Sequence, residues 1–196
     1  AWDRFVERNG GTFFHLSGWR RVIEEHLGHQ SHYLACFRDG EIIGVLPLAQ
    51  VRSWLFGNAL ISTPFLVYGG VVAVDKDAEQ ALVGKAREIA NDLNVDRLEL
   101  RNRQPSESGW PVISTHATFR KRISPDPDEN LKAIPRKQRA MIRKGISAGL
   151  VATVDEDVDR LYAALLECKR NLGTPFFNRK FLRAVKEEFG DQAEIL

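Results

Sequence analysis

Between Lys132 and Lys144 the chain carries Lys132, Arg136, Lys137, Arg139, Arg143 and Lys144, and no acid. Elsewhere its charges are mixed almost evenly, so this is where positive charge concentrates. At about 100° per residue of helix, Arg136, Arg139 and Arg143 fall on one narrow stripe. Gln138, Met141, Ile142, Gly145 and Ile146 form a neighbouring, mostly apolar stripe that can dock on a core. Guanidinium groups one turn apart suit planar, bidentate capture of phosphate or carboxylate. The same pattern also suits the solvated basic flank of an ordinary amphipathic helix.

Other constellations point less sharply to chemistry. His26, His29, His32 and Cys36 have a spacing that invites zinc, but ligands must converge on one point. Gly28 is expected to end a helix between the first two histidines, and His32 to open a strand, which favours loop histidines. Ser17, Ser53, Ser62, Cys36 and Cys168 lack the G-x-S-x-G elbow, and the H-E-x-x-H and P-loop patterns are missing. Gly69-Gly70 could let a ligand approach the backbone, though a tight turn is the simpler expectation. Arg101, Arg103, Arg120, Lys121 and Arg122 sit at the ends of two expected strands, where exposed arginines are common. Phe176-Phe177 follows Gly173-Thr174-Pro175 and could line a cleft wall or pack an interface.

The elements that must position these residues follow from periodicity. The chain has 196 residues, 43% hydrophobic and 28% charged, which is ordered, globular material. Its net charge of +2 is too small for wholesale nucleic-acid binding. Cys36 and Cys168, both in apolar periodic segments, read as buried thiols without a disulfide framework. That suits a reducing, cytoplasmic setting. No apolar run is long enough to span a membrane, and no secretory leader opens the chain. The first residue is Ala, so the chain is expected to be a piece of something longer.

Trp2, Phe5 and Val6 suggest a short opening helix. Ser17 is a plausible cap for a second, with Trp19, Val22, Ile23 and Leu27 inside and Arg20–Glu24 and Arg21–Glu25 pairs outside. Asp39-Gly40 between His32–Arg38 and Glu41–Val51 is a strong hairpin signal. Ala59–Val74 reads as strand and loop, Asp75–Leu93 as helix, Asp96–Arg101 as strand, Gln104–Pro111 as turns and Thr115–Ile123 as strand. Ser124-Pro125-Asp126-Pro127 marks the expected boundary between residues 1–124 and 125–196. Beyond it come a short helix, the Pro135 break, the basic helix, a strand at Leu150–Val154 and a helix from Asp157 to Leu172. Val158, Leu161, Tyr162, Leu165, Leu166 and Leu172 are expected on the inner face of that helix. Asn178 caps a last helix, and Ala193–Leu196 looks like a strand just beginning. The order argues for an α/β fold with a mixed, largely antiparallel sheet flanked by helices, followed by an unfinished second unit.

Several segments together resemble the FemAB-like transferases. They are T-F-F-H-L-S-G-W (Thr12–Trp19), R-D-G-E-I-I-G (Arg38–Gly44), P-R-K-Q-R-A-M-I-R-K-G (Pro135–Gly145), N-L-G-T-P-F-F (Asn171–Phe177) and the run Phe181–Leu196. The chain looks most like the FemAB-related proteins that accompany exosortase and PEP-CTERM exopolysaccharide systems. The resemblance implies two tandem GNAT-like folds, the first complete and the second only begun. It implies transfer of an acyl or aminoacyl group to an amine on a phosphate-bearing cell-envelope, peptidoglycan or exopolysaccharide precursor. The amine attacks an activated ester carbonyl, which requires orientation and oxyanion stabilisation. No metal is required, and no cofactor is expected within the chain. The donor would be aminoacyl-tRNA or acyl-CoA.

Carried over by position, Arg139 and Arg143 would contact phosphate, joined on geometry by Arg136. Trp19 and Arg20 fall where an N-terminal contact would come from. The acyl-CoA pyrophosphate loop R/Q-x-x-G-x-G/A is not present, because Arg139-Ala140-Met141-Ile142-Arg143 lacks its glycines. Much of the donor site is expected outside this chain, which alone would not be catalytically competent. Two alternatives stand beside this one: an acyl-CoA-dependent GNAT N-acetyltransferase, and a non-catalytic nucleic-acid-binding or scaffold module using the basic helix.

Overall fold

A computed structural model describes residues 1–55, 57–104, 109–113 and 117–196. The chain forms two compact units, one of Ala1–Ser108 with Asp157–Glu194, the other of Gly109–Glu156 with Ile195–Leu196. The Ser124–Pro127 segment lies inside the second of these.

Unit 1 is built on a mixed sheet. β1 (Gln30–Arg38) and β2 (Glu41–Ser53) form the expected hairpin through Asp39-Gly40. Both turn residues have positive φ, 51° and 81°, the geometry whose twist matches that of the paired strands. β3 (Gly57–Ser62) pairs antiparallel with the far half of β2, and β4 (Val72–Ala73) with its near half. β5 (Arg97–Glu99) runs parallel to β3.

Helices cover both faces because β2 alternates. Val45 and Ala49 point to one side, where they pack with α1 (Trp2–Arg8), α2 (Gly18–Arg21) and α7 (Arg179–Phe189). Phe5, Val6, Trp19, Val22, Ile23, Phe181 and Phe189 fill that layer. Leu46 and Leu48 point to the other side and meet Leu60 and the Leu82, Ala86 and Ala90 face of α3 (Lys76–Asp92). Each fully buried leucine contributes about 1.5–3 kcal/mol relative to exposure.

Caps set the helix ends as the sequence indicates. Asp75 accepts from the Ala78 amide at 2.9 Å, and Asn178 from the Phe181 amide at 2.9 Å. α6 (Val158–Leu172) is capped by Asp157 and ends at Gly173 in the left-handed conformation.

Several expectations are corrected. The second helix is α-helical only to Arg21 and continues as a π turn over Val22–His26. Ser17 does not cap it; its amide and hydroxyl both donate to Asp3, at 2.7 Å each. Arg20 does pair with Glu24, but Arg21 reaches Glu188 at 2.8 Å rather than Glu25. On α6 only Val158 is fully buried, Leu166 and Leu172 are exposed, and so is Cys168.

In unit 2, α4 (Pro127–Lys132) and α5 (Arg136–Ser147) flank Pro135. Leu150–Val154 forms no strand. Instead the Asp155 amide donates to the Ile195 carbonyl at 2.8 Å in an isolated antiparallel bridge. Of the strand expected over Thr115–Ile123, Thr115 and His116 lie outside the described residues, and 117–123 is not a strand. Of the turns expected over Gln104–Pro111, residues 105–108 also lie outside.

Candidate functional site

The site in unit 1 begins where the central ladder is interrupted. Thr63 donates its amide to Pro47 at 3.2 Å, but Pro47 has no N–H to return. There the chain leaves the sheet, with Thr63 at φ 40° and Phe65 at φ 70°, and rejoins it at β4.

Arg101 closes that excursion. Its amide donates to Ser62 Oγ at 2.7 Å, and its guanidinium to the Leu66 carbonyl and, at 2.8 Å, to Glu99. Its own carbonyl accepts from the amides of Gly69 and Gly70 at 3.2 and 3.1 Å. Both glycines are demanded by close approach rather than by a turn. A Cβ on Gly69 would lie 1.6 Å from Thr63 Oγ1, and one on Gly70 1.9 Å from Asn102 Oδ1.

Beyond Gly70 and Asn102 lies a cavity of about 550 Å³. Val71–Ala73, the first turn of α3, Asn102–Gln104, His15 and the Asn9-Gly10 turn line it. Val74 donates to Ile43 at 2.9 Å, and Val72 pairs with Val45. Alternation along an antiparallel ladder therefore turns the N–H and C=O of Ala73 away from β2, on the side of the open edge.

Charge in the cavity is mixed. Arg103 donates to the Gly10 carbonyl at 2.9 Å, and Lys76 opens α3. Among the acids, Asp75 is held by Arg38 at 2.8 Å, and its carboxyl lies below the ordinary range because it accepts from the Ala78 amide and from Arg38. The N-terminus of α3 adds partial positive charge.

His15 is buried at 2% exposure. Nε2 lies 3.1 Å from the Gly70 carbonyl, and Nδ1 lies 3.0 Å from the Thr12 amide nitrogen. Burial pushes its basicity down, outweighing the Gly70 carbonyl that accepts from Nε2, and Arg103 acts in the same direction as burial.

The residues expected to form a site are distributed as follows. Trp19 is a core residue, 3% exposed, with its indole N–H donating to the Phe13 carbonyl at 3.0 Å and its ring 4.8 Å from that of Phe189. Arg20 is exposed beside it, held by Glu24 at 3.2 Å. In unit 2, Arg136, Arg139 and Arg143 lie on a regular helix and so share one side of α5. Arg136 and Arg143 are exposed, whereas Arg139 is half-buried with a buried Nε that has no hydrogen-bond partner. The neighbouring apolar stripe is not docked on a core: Met141 and Ile146 are 65% and 63% exposed.

Sequence reasoning passed over His15 and Asn102 and treated Arg103 as an exposed strand end. The available signals were T-x-x-H (Thr12–His15), with spacing for a reciprocal cap, and the glycine pair. Among the described residues no group of three or more His, Cys, Asp or Glu side chains converges as a metal site. His29 instead stacks on Phe65, with ring centroids 5.3 Å apart.

No protein-family model matches this sequence, and no curated protein is similar to it at the sequence level. Among solved structures it is similar to the crystal structure of FemX, with a TM-score of 0.60 and 19% identity over 98% of this chain and 54% of that one. A second similar structure is described as a probable acetyltransferase, with a TM-score of 0.36 and 14% identity over 64% of this chain and 89% of that one. The chain thus has a FemX-like fold, with a mixed, largely antiparallel sheet flanked by helices of GNAT-like type. It spans about half the length of FemX.

Proposed function

We propose that this chain belongs to an N-acyl or aminoacyl transferase that modifies an amine on a phosphate-bearing cell-envelope or exopolysaccharide precursor. The observation that carries the reading is the unit 1 cavity, set beside Gly70 and Asn102 in a FemX-like fold. It offers what a polar acceptor chain needs. The outward amide of Ala73 can pair with another amide, Arg103 and Lys76 can meet an anionic group, and neutral His15 stiffens one wall.

In the reaction a neutral amine attacks an ester or thioester carbonyl. The C–N bond forms, the ester C–O bond of an aminoacyl-tRNA or the thioester C–S bond of an acyl-CoA breaks, and the amine proton leaves with the alcohol or thiol. The contribution of unit 1 is orientation. Arg136, Arg139 and Arg143 take phosphate of the acceptor or of the donor, and the unpartnered Arg139 Nε supports that role. Arg20 is a weaker candidate contact, and Trp19 acts by holding the core beneath it. The donor is aminoacyl-tRNA or acyl-CoA, the setting is cytoplasmic, and the exosortase-linked exopolysaccharide context belongs to the same reading. Among the described residues no helix is long and apolar enough to cross a membrane.

The test is a thermal-shift screen of this chain, and a transfer screen of a protein extended to the length of FemX, against charged tRNA and acyl-CoA donors with nucleotide-linked and lipid-linked amine acceptors. Stabilisation by an acceptor, with transfer from either donor, is expected. Binding to nucleic acid irrespective of aminoacylation, with no transfer, would replace this reading by that of a nucleic-acid-binding module.

A further inference from the structure

Among the described residues that line the cavity, His15 alone is both titratable and buried. Its two ring nitrogens are committed in opposite senses. The Gly70 carbonyl, 3.1 Å from Nε2, can only accept, so Nε2 carries the hydrogen. The Thr12 amide, 3.0 Å from Nδ1, can only donate, so Nδ1 carries none. The imidazole is therefore a neutral, single-tautomer bridge. It joins the turn after α1 to the strand segment that opens the cavity, 55 residues away in sequence.

A second proton could enter only at Nδ1, where it would meet the Thr12 N–H. The Thr12 hydroxyl, 2.9 Å from the same nitrogen, could accept it, but the Thr12 amide would then lose its partner. The new charge would be buried, and beyond the Gly70 carbonyl the groups around it do little to favour it. Arg103 opposes it from the segment after β5. On the α3 side Lys76 is a second cation, Asp75 is held by Arg38, and Glu79 is the remaining acid on the cavity wall. From α1, Trp2 donates to the His15 carbonyl, while Asp3 is held by Ser17. The turn Phe13–His15 supplies no other charge.

We propose that His15 is the positioning residue of the unit 1 cavity, and that its protonation unlatches the Gly10–Thr12 rim from the Gly70 wall. The inference rests on reading the cavity as the acceptor site. It adds that acceptor binding requires the neutral imidazole and fails as the ring takes up a proton from solvent. The latch regulates geometry and takes no proton from the amine, because both ring nitrogens are already engaged.

The experiment uses the whole chain with 15N-labelled histidine. Two-bond proton–nitrogen spectra read the tautomer at pH 7.5 and follow its titration. Amide exchange at Thr12 and Val71 is measured from pH 7.5 to 5 and corrected for the intrinsic rate. The expected result is the Nε2–H form at neutral pH and at least a tenfold loss of protection as the ring titrates. His15→Gln, which cannot charge, should hold protection constant over that range. Thr12→Val, which removes the remaining acceptor for a protonated Nδ1, should move the loss to lower pH.

An Nδ1–H tautomer, protection unchanged through the His15 titration, or the same loss in His15→Gln would each overturn the proposal. Should His15→Gln not fold, the wild-type spectra and Thr12→Val decide. None of these readouts needs a donor or an acceptor. A failed transfer screen would therefore remove the functional reading and leave the latch, while a failed latch would leave transfer intact.

Discussion

Thr63 donates its amide to the Pro47 carbonyl at 3.2 Å and receives nothing in return. That one-sided bond in the middle of the sheet is the origin of the cavity. A residue with an N–H at position 47 could extend the β2–β3 ladder by another pair. Proline stops it, Thr63 turns to φ 40°, and the chain detours before β4 resumes beside Val45. Gly69 and Gly70 then return it against Arg101, and the gap beyond them is the cavity.

Substitution of the returning glycine tests that account. Gly69→Ala places a methyl 1.6 Å from Thr63 Oγ1, and Thr63 is itself buried and fixed by donating to the Tyr68 carbonyl at 2.8 Å. The neighbour cannot yield cheaply, so destabilisation of about 1–3 kcal/mol is expected. Gly84→Ala is the control. It lies inside α3 with nothing within 4 Å of its added Cβ, and should stabilise by about 1 kcal/mol. Urea unfolding of the two variants should give opposite signs; equal signs would show that the close approach at Gly69 does not matter.

Arg101 should matter more than an exposed strand-end arginine. Its guanidinium serves Glu99 and the Leu66 carbonyl, and its side chain is 28% exposed. Arg101→Met keeps the aliphatic stem but leaves Leu66 without that donor. A loss of about 1–3 kcal/mol is expected, with increased amide exchange confined to residues 63–70. A loss spread evenly over the sheet would contradict the local role.

How far the sequence alone leads depends on the range of each interaction. Asp75, Asn178 and the Asp39-Gly40 turn were legible because a cap or a tight turn is decided within a few residues. The same local logic paired Arg21 with Glu25, but α7 brings Glu188 to 2.8 Å, and a tertiary partner won. Periodicity marked Leu166 and Leu172 as inward, yet an apolar stripe says only which side can be buried, not that something covers it. Of the cavity only the Gly69-Gly70 pair was legible, as a place where a ligand could approach the backbone. The rest depends on a missing amide at Pro47, on His15 meeting Gly70 and on Asn102 meeting Val71 at 3.2 Å. None of these has a spacing signature. The basic stripe of α5 was legible as a pattern, and its ligand was not, since helical geometry fixes the side and says nothing of what meets it.

Stability should fall in mild acid. His15, His29 and His32 all have basicity lowered by burial, with Glu24 opposing this at His32. For a base depressed in the fold, the unfolded chain binds more protons below its ordinary value of about 6.5. Stability therefore rises with pH through that window and is lost as pH falls from about 6.5 toward the folded values. Asp75 keeps its contribution throughout the window, because its depressed carboxyl stays ionised there, and loses it only at lower pH. Melting temperature should drop between pH 7 and 5, with a smaller drop in His15→Gln. A flat profile would mean that these rings are hydrated rather than buried.

The guanidinium stripe of α5 makes the remaining prediction. Arg136 and Arg143 are exposed, no residue of α5 is fully buried, and the helix carries no acid. Arg139→Ala with Arg143→Ala should therefore leave the melting temperature almost unchanged while weakening affinity for a phosphate-rich probe such as uncharged tRNA. If both side chains meet phosphate, the slope of log affinity against log salt should become shallower by about 1–2. Arg20→Ala is the internal comparison, because its guanidinium is already held by Glu24 and its loss should change that slope little. An unchanged slope in the double variant would return α5 to a solvated basic flank, and a collapse in melting temperature would make the arginines structural instead.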